Sequence, residues 1–140
     1  MKILVSLIVN FYIIFLSVSI SSQSLDDLVM EPGFKISIFA DNLDSPRQMA
    51  EGKNGTIFVG ERNGQVIALL DSDKNGQADS KIIVANNLTY STGVSIFDGD
   101  LYFSEISSIW KIENIEQWIS SYNSDSGMPE KTLVVDNLPN

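Results

Sequence analysis

The hydrophobic residues of the chain follow one pattern before about residue 33 and a different pattern after it. Residues 3–16 form an almost unbroken apolar run after a positively charged start, and serines dominate residues 17–24. This order predicts a secretory signal peptide over residues 1–22, followed by a leader segment over residues 23–33. The alternative is an uncleaved membrane anchor, because the apolar stretch approaches the length that spans a bilayer.

Beyond residue 33 the apolar residues occur in short runs that are rich in β-branched and aromatic side chains. Turn sequences such as Asn63–Gly64 and Asp98–Gly99 separate these runs, which is typical of antiparallel strands joined by tight turns. Ile115, Trp118 and Ile119 instead share one helical face and predict a short helix. The predicted strands are residues 48–51, 56–60, 65–70, 81–85, 93–97, 100–104, 108–112 and 131–135.

A repeat organises these strands. Three similar segments begin at residues 38, 83 and 133, which are 45 and then 50 residues apart. Periods of this length made of four short strands indicate the blades of an all-β fold, the β-propeller. The predicted partial propeller over residues 34–140 comprises an outer closing strand at 34–43 and four-stranded blades at 44–88 and 89–138. Two blades cannot close a ring, so we expect the chain to be the N-terminal fragment of a longer protein.

One loop has the spacing of a calcium site. Oxygen-bearing side chains alternate from position 71, Gly76 stands sixth, and the twelfth position, which holds a bidentate glutamate in helical calcium loops, is Ile82. The alternative is a metal-free hairpin held by hydrogen bonds from side chains to the backbone. The predicted calcium ligands are Asp71, Asp73, Asn75, Gln77 and Asp79.

Two equivalent loops lead into the first strand of each predicted blade, and in propellers such loops line one mouth of the central channel. Arg47 could hold an anionic group, and Tyr90 or Thr92 could hydrogen-bond a polar ligand. The alternative for Arg47 is a structural role, in which it caps a strand end or pairs with Glu61. Glu61 and Glu105 recur at equivalent positions, which favours a packing role over ligand binding.

Composition excludes several functions. The net charge of −9 disfavours nucleic-acid binding, because so acidic a surface repels phosphate backbones. The sequence has no histidine and no cysteine, which removes the common general base, the usual zinc ligands and any disulfide framework. We therefore identify no catalytic residue in this chain.

Residues 31–140 resemble the start of the sorbosone/glucose dehydrogenase family. The single motifs are short, and their order and spacing together carry the resemblance. The matching segments are PGFKI (32–36), SPRQMA (45–50), GTIFVGER (55–62), GQVIAL (64–69), DSDKNGQAD (71–79), GV (93–94) and DGDLY (98–102).

The resemblance implies a six-bladed, secreted or periplasmic propeller that uses pyrroloquinoline quinone (PQQ) and calcium to oxidise a sugar. It implies a histidine base that lies beyond the segment matched here, with a cytochrome or another electron acceptor as partner. Arg47, Tyr90 and Thr92 would face the quinone, and the membrane would be contacted only through the signal segment. Two alternatives stay open: a propeller that only binds ligands or proteins, and a hydrolase of the gluconolactonase kind.

Overall fold

The computed structural model describes residues 25–139 of the chain. The predicted export signal at 1–22 lies outside these residues, as does the start of the leader. A 3-10 helix at Leu25–Asp27 is the first described element, and it belongs to a separate compact unit that ends at Ile36. Within residues 25–139, no helix is long and apolar enough to cross a membrane.

Residues 37–139 contain two antiparallel four-stranded sheets, each a plain meander of consecutive strands. The strands lie within two residues of their predicted positions, so the predicted blades are confirmed as sheets. The first sheet comprises β1 (Pro46–Glu51), β2 (Ile57–Glu61), β3 (Gln65–Leu70) and β4 (Ser80–Ala85). The second comprises β5 (Val94–Phe97), β6 (Asp100–Ser104), β7 (Ile109–Ile112) and β8 (Thr132–Val135). A helix, α1 (Ile115–Ser121), connects β7 to the loop before β8.

The two sheets repeat each other in fine detail. The pairing of β3 with β4 skips Val84, and the pairing of β7 with β8 skips Val134, so both outer strands bulge at the same place. Asn42, Asn87 and Asn137 recur at positive φ, between 53° and 58°, where asparagine is tolerated better than most residues. The duplicated sequence therefore specifies the irregularities of the sheet as well as its strands.

The main core lies between the two sheets. Phe58 and Val66 of the first sheet and Leu101 and Phe103 of the second are almost completely buried in one apolar cluster. Ile115 of α1 is fully buried against the same cluster, which confirms the apolar helical face read from the sequence. Burying apolar area at about 25 cal/mol per Å² makes this shared cluster the principal stabilising element of residues 37–139.

A carboxylate on the helix ties one sheet to the other. Glu116 accepts hydrogen bonds from the hydroxyl of Thr56, at 2.8 Å, and from the backbone N–H of Asn54, at 3.2 Å. Gly52 completes the contact, since a Cβ there would collide with the Glu116 carboxylate. The helix of the second sheet thus closes over the β1–β2 turn of the first.

The predicted closing strand at 34–43 is not a strand in this structure. A strand is defined by its hydrogen-bonded partner, and no ladder forms along residues 34–43. Phe39, Ala40 and Leu43 instead lie on the second face of the first sheet, against Val59 and Ile67. This segment covers a face of the sheet and does not extend its edge.

The second sheet leaves a more polar face free. Where the side of the first sheet that faces the main core has Ala68, the matching position of the second sheet has Lys111, paired with Asp100 at 3.4 Å and Glu113 at 2.7 Å. The hydrogen bond to Glu113 is the main cause that raises the pKa of Lys111 above its ordinary value of 10.5. This raised pKa favours folding below pH 10.5, and the benefit is lost as the pH rises through the folded value.

Candidate functional site

The predicted calcium loop brings three carboxylates together. Asp71, Asp73 and Asp79 each place an oxygen within 4.8 Å of the others, and Asp73 and Asp79 are exposed. Two positive-φ residues shape the turn between them: Lys74 at 55° and Gly76 at 88°. Three hard oxygen donors at this separation have the chemistry that Ca²⁺ prefers.

The same carboxylates also hold the loop by themselves. Asp71 accepts the backbone N–H groups of Asn75 at 3.0 Å and Gly76 at 2.9 Å, and Asp79 accepts that of Ser72 at 2.8 Å. These bonds are the ones expected of the metal-free hairpin. The same carboxylates thus stabilise the loop by hydrogen bonds and lie close enough together to bind one cation.

The other two predicted ligands, Asn75 and Gln77, make different contacts. The Asn75 side chain donates to Asp73 at 2.9 Å and accepts the Gln77 backbone N–H at 2.8 Å, so Asn75 belongs to the hydrogen-bonded turn. Gln77 lines an open cleft of about 500 Å³ between the loop and residues 38–42. The Ala78 N–H donates to the Phe39 carbonyl at 2.7 Å, which joins the loop to the segment that covers the first sheet.

The second candidate site lies at the entry end, defined as the end of the two sheets where β1 and β5 begin. Arg47 is exposed, and it occupies a bulge, because the β1–β2 pairing passes from Pro46 directly to Gln48. Thr92 is half-buried, with its carbonyl close enough to Gly60 that a Cβ there would approach to 2.9 Å. The backbone of the second loop thus packs tightly against β2.

Tyr90 stands at this end in an unusual conformation. Its φ is 55°, in the left-handed region that bulky residues rarely adopt, and its side chain is 56% exposed. The Arg62 guanidinium lies over the Tyr90 ring, 5.9 Å from its centroid. Arg62 was not among the residues predicted for this site, because Arg62 follows β2 and approaches Tyr90 only through the packing of the two sheets.

Ser91 is a second residue that the sequence did not single out. Its hydroxyl is fully buried, and it has no hydrogen-bond partner among residues 25–139. A buried hydroxyl without a partner costs free energy, and such groups commonly mark a bound water. It lies between Tyr90 and Thr92 in the loop before β5, and its side chain is enclosed by the protein.

The repeated glutamates have a structural role. Glu61 is 2% exposed and accepts the Asp44 N–H at 2.8 Å, and Glu105 accepts the Thr89 N–H at 3.0 Å. Each carboxylate thereby fixes the loop that leads into the first strand of its own sheet. No ion pair joins Arg47 to Glu61 in residues 25–139, so the pairing considered for Arg47 is not formed.

Comparisons with known proteins agree with the fold. No protein-family model matches the chain. An uncharacterized protein of Borreliella burgdorferi is 28% identical over 106 residues, which are 74% of this chain and 26% of that protein. Two solved structures share the fold.

The first is the PQQ domain of pyranose dehydrogenase from Coprinopsis cinerea, with a TM-score of 0.54, 18% identity, and coverage of 73% of this chain and 24% of that one. The second is a carbohydrate-active enzyme of family AA12 from Trichoderma reesei, with a TM-score of 0.60, 19% identity, and coverage of 80% and 28%. The chain thus spans about a quarter of the length of each protein that it matches.

Proposed function

We propose that this chain supplies two blades of a six-bladed propeller that oxidises a sugar with PQQ, in a protein exported to the periplasm or outside the cell. The observation that carries the proposal is the shared fold with the PQQ domain of pyranose dehydrogenase. The ordered sequence motifs of the sorbosone/glucose dehydrogenase family support the same assignment independently. A sugar is the proposed substrate, and a cytochrome or another electron acceptor is the proposed partner.

The residues at the entry end fit a quinone that carries carboxylates. Arg47 is exposed, and no residue within 25–139 pairs with it, while the half-buried Thr92 offers a further hydroxyl for hydrogen bonding. Arg47, Tyr90 and Thr92 would bind the polar groups of the cofactor at the entry end. When bound, PQQ would accept the hydride of the oxidised sugar. The proton must go to a base outside this sequence if that base is histidine, since the chain has none.

The test measures dye-linked oxidation of a panel of sugars by the product of the complete reading frame, with and without added PQQ and calcium. We expect turnover that depends on PQQ, and none from the 140-residue chain alone. Hydrolysis of sugar lactones without PQQ would instead favour the gluconolactonase kind of hydrolase. Binding of sugars or proteins without any turnover would favour a propeller that only binds.

We also propose that Asp71, Asp73 and Asp79 hold a structural calcium ion, with Asn75 and Gln77 completing the loop. The convergence of three carboxylates within 4.8 Å supports this assignment. Because the twelfth position is Ile82, we expect a dissociation constant in the range of about 10⁻⁴–10⁻³ M, as in extracellular calcium modules. This ion stabilises the fold and is a different ion from any calcium that contacts the quinone.

Calorimetric titration of calcium tests the loop. Asp73→Ala removes one of the three converging carboxylates, so we expect the affinity to fall by at least about tenfold, or about 1.4 kcal/mol. Asp125→Ala is the matched control, because it removes the same charge from an exposed position in another loop. Equal isotherms for the wild type and Asp73→Ala would reject the site.

A further inference from the structure

The entry end carries both arginines of the sequence. Arg47 and Arg62 are the only arginines in a chain with a net charge of −9. Arg47 lies in the bulge of β1 and Arg62 directly follows β2, one residue to either side of the paired residues Pro46 and Glu61. The Arg62 N–H donates to the Ser45 carbonyl at 3.1 Å, which continues the pairing and holds the two arginine backbones close together.

Neither guanidinium is neutralised by the protein. Within residues 25–139, the only ion pairs join Lys111 to Asp100 and Glu113, far along the chain from this end. Arg47 and Arg62 also make no side-chain hydrogen bond in that part of the chain. Each of the two exposed guanidinium groups thus keeps its five N–H donors available.

The acids of the same end are already occupied. Asp44 accepts from the side chains of Ser45 at 3.3 Å and Asn63 at 3.2 Å, and the buried Glu61 accepts the Asp44 N–H. Glu105 accepts the Trp110 indole N–H at 2.7 Å and the Thr89 N–H. Their oxygens are directed to internal donors, which leaves the arginines as the exposed charges with free hydrogen-bonding capacity.

Tyr90 orients one of these arginines. The ring faces the Arg62 guanidinium at 5.9 Å, within the range of a cation–π contact. The left-handed backbone at Tyr90 places the ring there, and strained backbone of this kind concentrates at functional sites. The contact uses one face of the guanidinium, so its N–H edge stays free to bind an oxyanion in the bidentate manner.

We infer that Arg62 and Arg47, oriented by Tyr90, form a binding site for an oxyanion, either a carboxylate or a phosphate group of a small ligand. The inference deepens the proposed function, because it lies at the same end as the proposed quinone site and adds Arg62 to it. It does not depend on the quinone. The site would bind simple anions even if the protein proved to use another cofactor or none.

The test follows the two arginines by NMR. Since the sequence has only two, the Nε–H region of a ¹H–¹⁵N spectrum of the full chain holds two arginine signals. Succinate and inorganic phosphate are titrated separately at constant ionic strength, with chloride as the background anion. We expect a saturable shift of the Arg62 signal, and the stronger of the two probes identifies the carboxylate or phosphate preference.

Five variants decide the outcome. Arg62→Gln and Arg47→Gln each remove one guanidinium, so we expect the affinity to fall by at least about tenfold in each. Tyr90→Ala should weaken binding several-fold, whereas Tyr90→Phe keeps the ring and should bind as the wild type does. Lys53→Gln is the matched control, because it removes one exposed positive charge from the opposite end of the first sheet.

Shifts that grow without saturation would overturn the site. So would an affinity that falls equally in Lys53→Gln, because both results describe general charge attraction. Each variant is checked for folding by its backbone amide spectrum. If one arginine variant does not fold, the other arginine variant and Tyr90→Ala still decide the question. Failure of PQQ to support turnover would overturn the proposed enzyme and leave this result unaffected.

Discussion

Replacing Phe58 by alanine is expected to remove about 3–5 kcal/mol from the free energy of unfolding. The ring is fully buried, and it belongs to the cluster that joins the two sheets. The substitution removes the packing of a whole ring and leaves a cavity that the surrounding strands cannot close. Because small domains are stable by only about 5–15 kcal/mol, a large share of the fold's stability would be lost.

Urea unfolding of the full chain, followed by tryptophan fluorescence, measures this effect. Phe97→Ala is the matched control: the same ring is removed from a side chain that is 71% exposed. We expect that control to change the free energy of unfolding by at most about 0.5 kcal/mol. Similar losses in the two variants would contradict a core shared between the sheets.

The second large effect is expected at Gly64, where alanine should cost about 2–5 kcal/mol. Gly64 has a φ of 90°, and a residue with a side chain pays about 1–2 kcal/mol to adopt such a left-handed conformation. An added Cβ would also collide with the Leu88 carbonyl, and overpacking of this kind typically costs about 1–3 kcal/mol. Gly64 accepts the Leu88 N–H at 3.0 Å through its own carbonyl, so the clash cannot be relieved without breaking that bond.

A substitution at Gly55 measures the conformational cost without the cost of the collision. It has nearly the same φ, 87°, but nothing lies within 4 Å of the position that its Cβ would take. Gly55→Ala should therefore lose only the conformational part, about 1–2 kcal/mol. Both variants are measured by the same urea unfolding experiment. An equal loss at the two glycines would show that the close approach of Gly64 to Leu88 is absent in solution.

The strands were predictable because their determinants are local. Alternating apolar residues and turns such as Asn63–Gly64 fix the position of each strand within a few residues, and the duplication supplied a second copy against which to compare. The convergence of the three loop carboxylates was predictable for the same reason. Asp71, Asp73 and Asp79 lie within nine residues, so their spacing along the chain already determines how close they come.

The remaining features depend on contacts between distant residues. The Glu116 contact with Thr56 spans 60 residues, and the approach of Arg62 to Tyr90 requires the two sheets to be packed. Neither leaves a periodic signal in the sequence. The closing strand predicted at 34–43 stays a prediction: its composition favours an extended chain, but a strand also needs a neighbouring strand, and local sequence cannot report which one. The same limit hid the buried, unpartnered hydroxyl of Ser91.

The shared cluster has a consequence for cooperativity. Phe58 and Val66 contribute one wall of that cluster, and Leu101 and Phe103 contribute the other, so neither repeat encloses an interior by itself. The smallest unit able to fold is then a pair of neighbouring repeats. Hydrogen exchange of the backbone amides in β2 and β6 should therefore report the same free energy of opening, through one common opening event.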